Sequence, residues 1–482
     1  FSGAFSATAN HGADGPGTVT WSYSMVLLVA EGTLSGLSSD GAAIRLYQTP
    51  SGTIIGSTAG SEGAISGSNT IFTLSVNGSG VVTLNQYQEI DHELPGANGS
   101  YDAQEALLGS NLVGLQGTAT ITDYDQDTHS DSVTLDLGGK VAFDDHGPSI
   151  SLGFGQHSEV LNTQDAQTIG GVSDTDTDSF SGAFTITSQN YGADGAGSVS
   201  ASYALTMIAA EGTSSGLSSD GATVYLYESG GVIYGSTSAS EAGVDPSNTI
   251  FTLSVNSATG QVTLTQFEEI DHSAPGVGSN YSNQEAVLGS GLVGLKGTVV
   301  ITDGDGDTAS ADKTLDLGGK VAFDDDGPSI TLGFGTAPVP SLNTQDAQTI
   351  GASSDTDSGN FGGALVVSSS SYGADGPGNI VQSYSLNLLS GGNGPLASGM
   401  NSAAGPIYLY KIGGEIVGSS SATLVGVAAG NTVFSLAVDS DTGQVTLTQF
   451  QEIFHDAPGS DSNYSSQEEV LLAGKIGLTL TA

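Results

Sequence analysis

The chain of 482 residues is long enough for about three domains and carries 51 acidic side chains against 7 basic ones, a formal net charge of −44. A surface of that sign repels nucleic acid and anionic membranes, and no basic patch argues otherwise. The absence of cysteine removes disulfides and thiolate metal sites, and no apolar run approaches the roughly 18 residues that cross a bilayer.

Charged residues are only 12% of the chain and apolar ones 37%, so a core is affordable and this is not a charge-swollen tail. Folding then requires that the acids be screened or coordinated. With 72 glycines and heavy Ser/Thr use, the composition fits an extracellular protein held by metal rather than by bridges. Phe1 enters directly into repeated sequence without a signal peptide, which reads as a fragment whose targeting signals lie elsewhere.

The run Phe1-Ser2-Gly3-Ala4-Phe5 returns as Phe180-Ser181-Gly182-Ala183-Phe184 and as Phe361-Gly362-Gly363-Ala364-Leu365, a period of about 180 residues. That is too long for a solenoid unit and right for a whole domain. Each copy continues with a Gly-Ala-Asp-Gly turn at Gly12, Gly192 and Gly373, and then with an alternating strand. Val19, Trp21, Tyr23, Met25 and Leu27 face the core in the first copy, with Val199, Tyr203, Leu205, Met207 and Ile380, Tyr384, Leu386, Leu388 in the others. Trp21 falls where the other copies have Ala201 and Gln382, so it is expected at the periphery.

Next come Ile44 to Tyr47, Val224 to Tyr227 and Ile407 to Tyr410, followed by a clear hairpin: Phe72, Leu74, Val76, the turn Asn77-Gly78-Ser79-Gly80, then Val82 and Leu84. Period-two alternation bounded by Gly, Asn, Asp and Ser, with no long helical stripe, predicts an all-β fold of tandem Ig-like antiparallel β-sandwiches. Short helical turns are compatible with Gln104-Glu105-Ala106-Leu107 and Gln284-Glu285-Ala286-Val287. The predicted domains are 1–149, lacking a counterpart of Asn162-Thr163-Gln164-Asp165; 150–330, which is complete; and 331–482, which stops at the counterpart of Ala119. Trimmed ends explain this simply, and the sharper alternative is a sandwich that takes a strand from a like chain, head to tail.

The acids concentrate at the end of each copy. Asp303-Gly304-Asp305-Gly306-Asp307-Thr308 is followed by Phe323-Asp324-Asp325-Asp326-Gly327-Pro328, and the same stretch occurs as Asp123, Asp125, Asp127 followed by Asp144-Asp145-His146. Three carboxylates at alternate positions share one side of an extended chain, or converge if glycines let the backbone curl, and repel unless a cation sits among them. Ca²⁺, which takes six to eight oxygen ligands, is the natural neutraliser. This is no EF-hand, because Thr308 stands where the sixth-position Gly belongs and Thr314 where the twelfth-position Glu belongs. Other strands must complete the shell, and the Asp324 to Asp326 turn is nearest in sequence. Solvated turn acids are the bland alternative.

Asp174, Asp176 and Asp178, shortened in the next copy to Asp355 and Asp357, form a second acidic cluster that would suit an inter-domain ion or an ordinary loop. Glu89-Ile90-Asp91-His92 and Glu269-Ile270-Asp271-His272 place acids beside an imidazole, but the third copy breaks the order, and the grouping reads as a strand running into a loop. No nucleophile motif, phosphate loop or zinc-ligand spacing is present, so no enzyme is expected. Lys140 and Lys320 are expected either to pair with the neighbouring acids or to guard an edge strand.

The run Gly260 to Gln266, then Ile270-Asp271-His272, then Ile301 to Thr308, closing on Phe323 to Pro328, resembles the T1SS-143-type repeat of giant RTX adhesins, the type I-secreted surface proteins of Gram-negative bacteria. The resemblance implies Ca²⁺-rigidified extender domains, outside the cell, that space an adhesive tip from it and whose partners are the neighbouring repeats. It points to Asp303, Asp305, Asp307 with Asp324, Asp325, Asp326, and to Asp123, Asp125, Asp127 with Asp144, Asp145. The first copy departs from it in Tyr124, Gln126 and His146. A carbohydrate- or surface-binding module, with ligand on the Val224 to Tyr227 strand or near Tyr281, and a self-assembling filament are the other readings.

Overall fold

The structure, a computed structural model, describes residues 1–13, 15–92, 96–97, 99, 104–272, 284–455 and 467–482. It is all-β, built from antiparallel sheets, and the helical pieces among the described residues are single 3₁₀ turns. The chain forms two compact units, one of residues 1–163, 171–270 and 286–323, the other of 164–170, 271–285 and 324–482.

In the first unit the second copy shows the architecture most fully. One sheet runs Asp174–Ser179, Gln261–Gln266, Thr249–Val255, Val232–Ser236, Ala222–Ser229, Thr213–Ser219; the other runs Ala196–Met207, Val293–Asp303, Thr308–Asp316. Alternation does what the sequence asks of it: Phe251, Leu253, Val262 and Leu264 point inward and pack with Leu205, Leu295, Leu317 and Phe323. The Phe251 and Phe323 ring centroids lie 5.1 Å apart, and Phe72 and Phe143 repeat the pair in the first copy at 5.0 Å. Opposite each Phe stands a glycine, Gly56 or Gly235, whose Cβ would enter the ring, so the bare backbone makes room for the aromatic.

Three expectations change. Val19 and Val199 lie at the outer ends of their strands and are exposed, whereas Met25 and Leu205 further along are buried. Glu105–Leu107 and Glu285–Val287 are strands rather than helical turns, because Glu105–Leu107 finds an antiparallel partner in Ala142–Asp144. Asp174–Ser179 is an edge strand paired with Gln261–Gln266, and Asp355–Asn360 with Gln444–Gln449, not loops. Trp21 is half-buried against Phe5 and Tyr23, outside the core.

Ser149–Phe154, which follows the Asp144-Asp145 turn, pairs with Phe184–Asn190 of the second copy, so the backbone passes from one copy into the next as a strand. In the second unit the third copy repeats the larger sheet, and Ser383–Leu388 pairs with Ile476–Thr481. There Phe434, Leu436, Leu447 and Met400 line a cavity of about 680 Å³. In the second copy, side chains such as Phe323 and Leu317 pack against the corresponding Phe251.

Truncating a buried Phe in such a core costs about 3–5 kcal/mol. Phe143→Ala is expected to lower the urea midpoint followed by the fluorescence of Trp21, the single tryptophan, more than Phe323→Ala does. Equal shifts would show that the two cores unfold as one.

Candidate metal centre

The triple-Asp motif is a hairpin loop. Thr122 pairs with Thr128 in the first copy and Thr302 with Thr308 in the second, so the carboxylates sit on the connection between the paired strands. The Asp303 amide donates to the Asp307 carbonyl at 3.0 Å, and Asp303 Oδ1 accepts the amides of Gly306 and Asp307 at 3.2 and 2.7 Å. The loop curls and the acids converge. Gly306 takes a φ of +108°, and Gln126 holds a left-handed φ of 79° at the same place in the first copy.

The end of the first copy closes over the second copy's loop. The His92 amide donates to Asp305 Oδ2 at 3.2 Å, and the Gly96 amide donates to Asp307 Oδ1. Gln104 Nε2 donates to Asp145 Oδ2 at 3.3 Å and to Asp307 Oδ2 at 3.2 Å. The turn at Gly192 comes in from another side: a Cβ on Gly304 would strike the Asp194 carbonyl oxygen, and one on Gly192 the His146 carbonyl oxygen. Asp303 and Asp307 are buried as a result, at 3% and 0% exposure.

Two ligand sets follow, each with its donor atoms within 4.8 Å of one another: Asp194, Asp303, Asp305, and His92, Asp145, Asp305. They share Asp305, and neither contains a Lys or Arg. Asp303 Oδ2 and Asp305 Oδ1 are buried and accept no hydrogen bond. Burial, and then the neighbouring Asp307 and Asp305, push the Asp145 carboxyl up to about 8. Burial with Asp305 and Asp307 takes Asp303 to about 7, and burial with Asp305 takes Asp194 to about 6. Buried oxygens without a donor, crowded by like charge, fit a cation.

The second unit holds a related cluster. His272 Nδ1 lies 3.4 Å from Asp165 Oδ2 and 3.6 Å from Asp325 Oδ1, and Gln284 Nε2 donates to Asp325 Oδ2 at 3.2 Å, as Gln104 does to Asp145. Asp375, the counterpart of Asp194, is raised by burial and by Asp325. Asp326 is raised by burial and by Asp325, its carboxyl standing outside the gathered set. Asp123, Asp125 and Asp127 also converge, but with Asp125 and Asp127 exposed to water.

The predicted residues divide accordingly. Asp145, Asp303, Asp305, Asp325 and the Asp123 loop enter ligand sets, while Asp307 adjoins the shared site through Gln104. Asp144 is exposed, and Asp324 is buried at the end of a strand. Among the described residues no ligand set includes Asp174, Asp176, Asp178, Asp355 or Asp357. Alternate positions on a flat strand hold those carboxylates apart, and Asp176 accepts the Asn162 amide and Asp357 the Asn343 amide, each at 2.8 Å. The turn that closes on the Asp303 loop is that of the preceding copy. Sequence reasoning read His92 and His272 as part of a strand running into a loop, and did not take Asp165, Asp194, Asp375, Gln104 or Gln284 as site residues. Their signal was recurrence: the Asp-His pair stands in two copies, and the turn aspartate in every copy. On the strand proposed for ligand contact Val224, Leu226 and Tyr227 are buried, with the Tyr227 hydroxyl donating to Ser238 O at 2.9 Å. Tyr281 lies outside the described residues.

The chain belongs to the DUF5801 family, a domain of unknown function, which it matches three times, over residues 1–138, 158–318 and 341–482. No curated protein matches it. Among solved structures it is similar to the protocadherin GammaB4 extracellular domain, with 11% identity over 91% of this chain and 47% of that one and a TM-score of 0.19, so it spans about half that chain's length. It is also similar to a 1.5-MDa bacterial ice-binding adhesin, with 10% identity over 90% of this chain and 98% of that one and a TM-score of 0.15. A third similar chain is a Ca²⁺-stabilised adhesin of an Antarctic bacterium that binds ice, with 9% identity over 90% and 89% and a TM-score of 0.15.

Asp145 and Asp303 keep their protons in the fold to about 8 and about 7, whereas unfolded carboxyls lose them near pH 4. The folded state therefore binds more protons between those limits, and stability falls as pH rises. In chelator the melting temperature should fall from pH 5 to pH 8.5, and millimolar Ca²⁺ should abolish the fall. A rise in chelator over that window would contradict the crowding.

Proposed function

We propose that the chain is a calcium-rigidified extender segment of a secreted bacterial surface adhesin of the RTX type, a non-enzymatic spacer between the cell and an adhesive tip. The observation that carries this reading is the Asp194, Asp303, Asp305 set of the second copy, over which the first copy closes with the His92 amide on Asp305 Oδ2 and Gln104 on the adjoining Asp307. A cation there ties two consecutive domains together, and without it their acids repel. The motif resemblance and the threefold repetition support the same role, since repeated copies of one chemistry suit spacing better than recognition. Among the described residues no helix is long and apolar enough to cross a membrane. The partners are the neighbouring repeats and, at the ends, like chains head to tail.

Weak sites are adequate for this. Extracellular modules bind Ca²⁺ with a Kd of about 10⁻⁴ to 10⁻³ M, and a site at ten times its Kd adds about 1.4 kcal/mol of stability. EGTA is expected to lower the melting temperature and broaden the small-angle scattering envelope. Asp305→Ala should mimic EGTA at the first junction, while Asp178→Asn, outside every gathered set, should leave both readouts unchanged. An envelope and melting curve indifferent to EGTA would remove the mechanism.

A further inference from the structure

The junction contains a donor that calcium does not use. His92 is 9% exposed, and its Nε2 lies 3.1 Å from the carbonyl oxygen of Phe143. That acceptor requires the proton on Nε2 and turns the Nδ1 lone pair inward. Nδ1 makes no hydrogen bond; it faces Asp145 Oδ1 at 3.5 Å, longer than an N–H···O bond, in the same set as Asp305. Ligand atoms about 2.0–2.2 Å from a tetrahedral ion stand about 3.3–3.6 Å apart. A ring nitrogen held by a backbone carbonyl on its far side, with a carboxylate itself held by an amide donor, is the outer-shell arrangement of metal-binding histidines. Here Gln104 Nε2 supplies that donor to Asp145.

A second set of the same residue types stands in the second unit. His272 Nδ1 stands 3.4 Å from Asp165 Oδ2 and 3.6 Å from Asp325 Oδ1, with Gln284 in the place of Gln104. The second set draws its third ligand from Asp165, a different element from the Asp305 loop, so the same chemistry is reached by two routes. In the third copy His455 Nδ1 lies 3.5 Å from Asp346 Oδ2, with both side chains about a third exposed. Ca²⁺ takes oxygen ligands, whereas an imidazole with two carboxylates suits a borderline transition-metal dication.

We propose that His92, Asp145 and Asp305, and separately His272, Asp165 and Asp325, bind a transition-metal dication of the Zn²⁺ class, with water completing each shell. Asp194, Asp303 and Asp305 are left as the hard-cation position. This goes beyond the calcium reading and stands without it.

The test uses the full chain, stripped with EDTA and titrated calorimetrically with Zn²⁺ in excess Ca²⁺. Two Zn²⁺ per chain are expected from the two sets. His92→Gln and His272→Gln should each lose one, and the double variant both, with the Ca²⁺-induced melting shift kept. Asp303→Asn should do the reverse, losing the Ca²⁺ shift at the first junction and keeping Zn²⁺. Gln104→Leu should weaken one site by about 10-fold. Unchanged Zn²⁺ stoichiometry in the double variant would mean adventitious binding at surface histidines, and displacement by Ca²⁺ would mean an oxygen-only site; either overturns the proposal. If a variant fails to fold, nitrogen NMR of the wild-type imidazoles decides: Zn²⁺ must move Nδ1 of two rings among the seven histidines, and no shift at those rings refutes it.

Discussion

Everything at the junction depends on unpaired negative charge in a place water does not reach. Asp303, Asp307 and Asp145 are buried within one pocket of carboxylates, and the donors around them are backbone amides and one glutamine rather than a Lys or Arg. Two like charges at a few ångströms in a low-dielectric setting repel by several kcal/mol, so the acids must hold protons or share a cation. A chain with 7 basic residues cannot supply the counter-charge from its own side chains. Its folded state is therefore coupled to its ionic surroundings.

One motif in two settings makes the point. Asp123, Asp125 and Asp127 form the same hairpin loop as Asp303, Asp305 and Asp307, and converge in the same way, but they lie open to water with Tyr124 78% exposed in place of Gly304. Burial is what changes a tolerable cluster into a demanding one. Another copy delivers much of that burial, with His92, Gln104 and Asp145 coming from the end of the first, while Asp194 comes from the second copy's own opening turn. The Asp194, Asp303, Asp305 set lies within one copy, whereas the set that Asp305 forms with His92 and Asp145 is completed only by two.

The imidazoles sort the cluster further. Oxygen donors around Asp303 suit a hard ion, while His92 and His272, each held near two acids, add a softer donor at one edge. Asp305 belongs to both sets, so whatever occupies one position alters the charge felt at the other.

Much of this was legible in the residues. The period of about 180, the inward Phe251, Leu253 and Leu264 and the turn glycines follow from rules that act within a few positions, strand alternation and the φ freedom of glycine, whereas the triple-Asp stretch suited either an extended or a curled backbone and the fold curled it. The acidic strand Asp174–Ser179 was misread because its composition is that of a loop, while its conformation is imposed by the ladder to Gln261–Gln266. The partners of Asp303 and Asp305 were out of reach for a deeper reason. Which turn faces which loop is decided by how one sandwich is joined to the next, through the Ser149–Phe154 strand, and residues more than 100 positions apart leave no local trace of their meeting. Sequence alone determined where the acids would gather; only the tertiary structure decided that His92, Asp145 and Asp194 would stand around Asp305, because folding and not local preference brings those elements together.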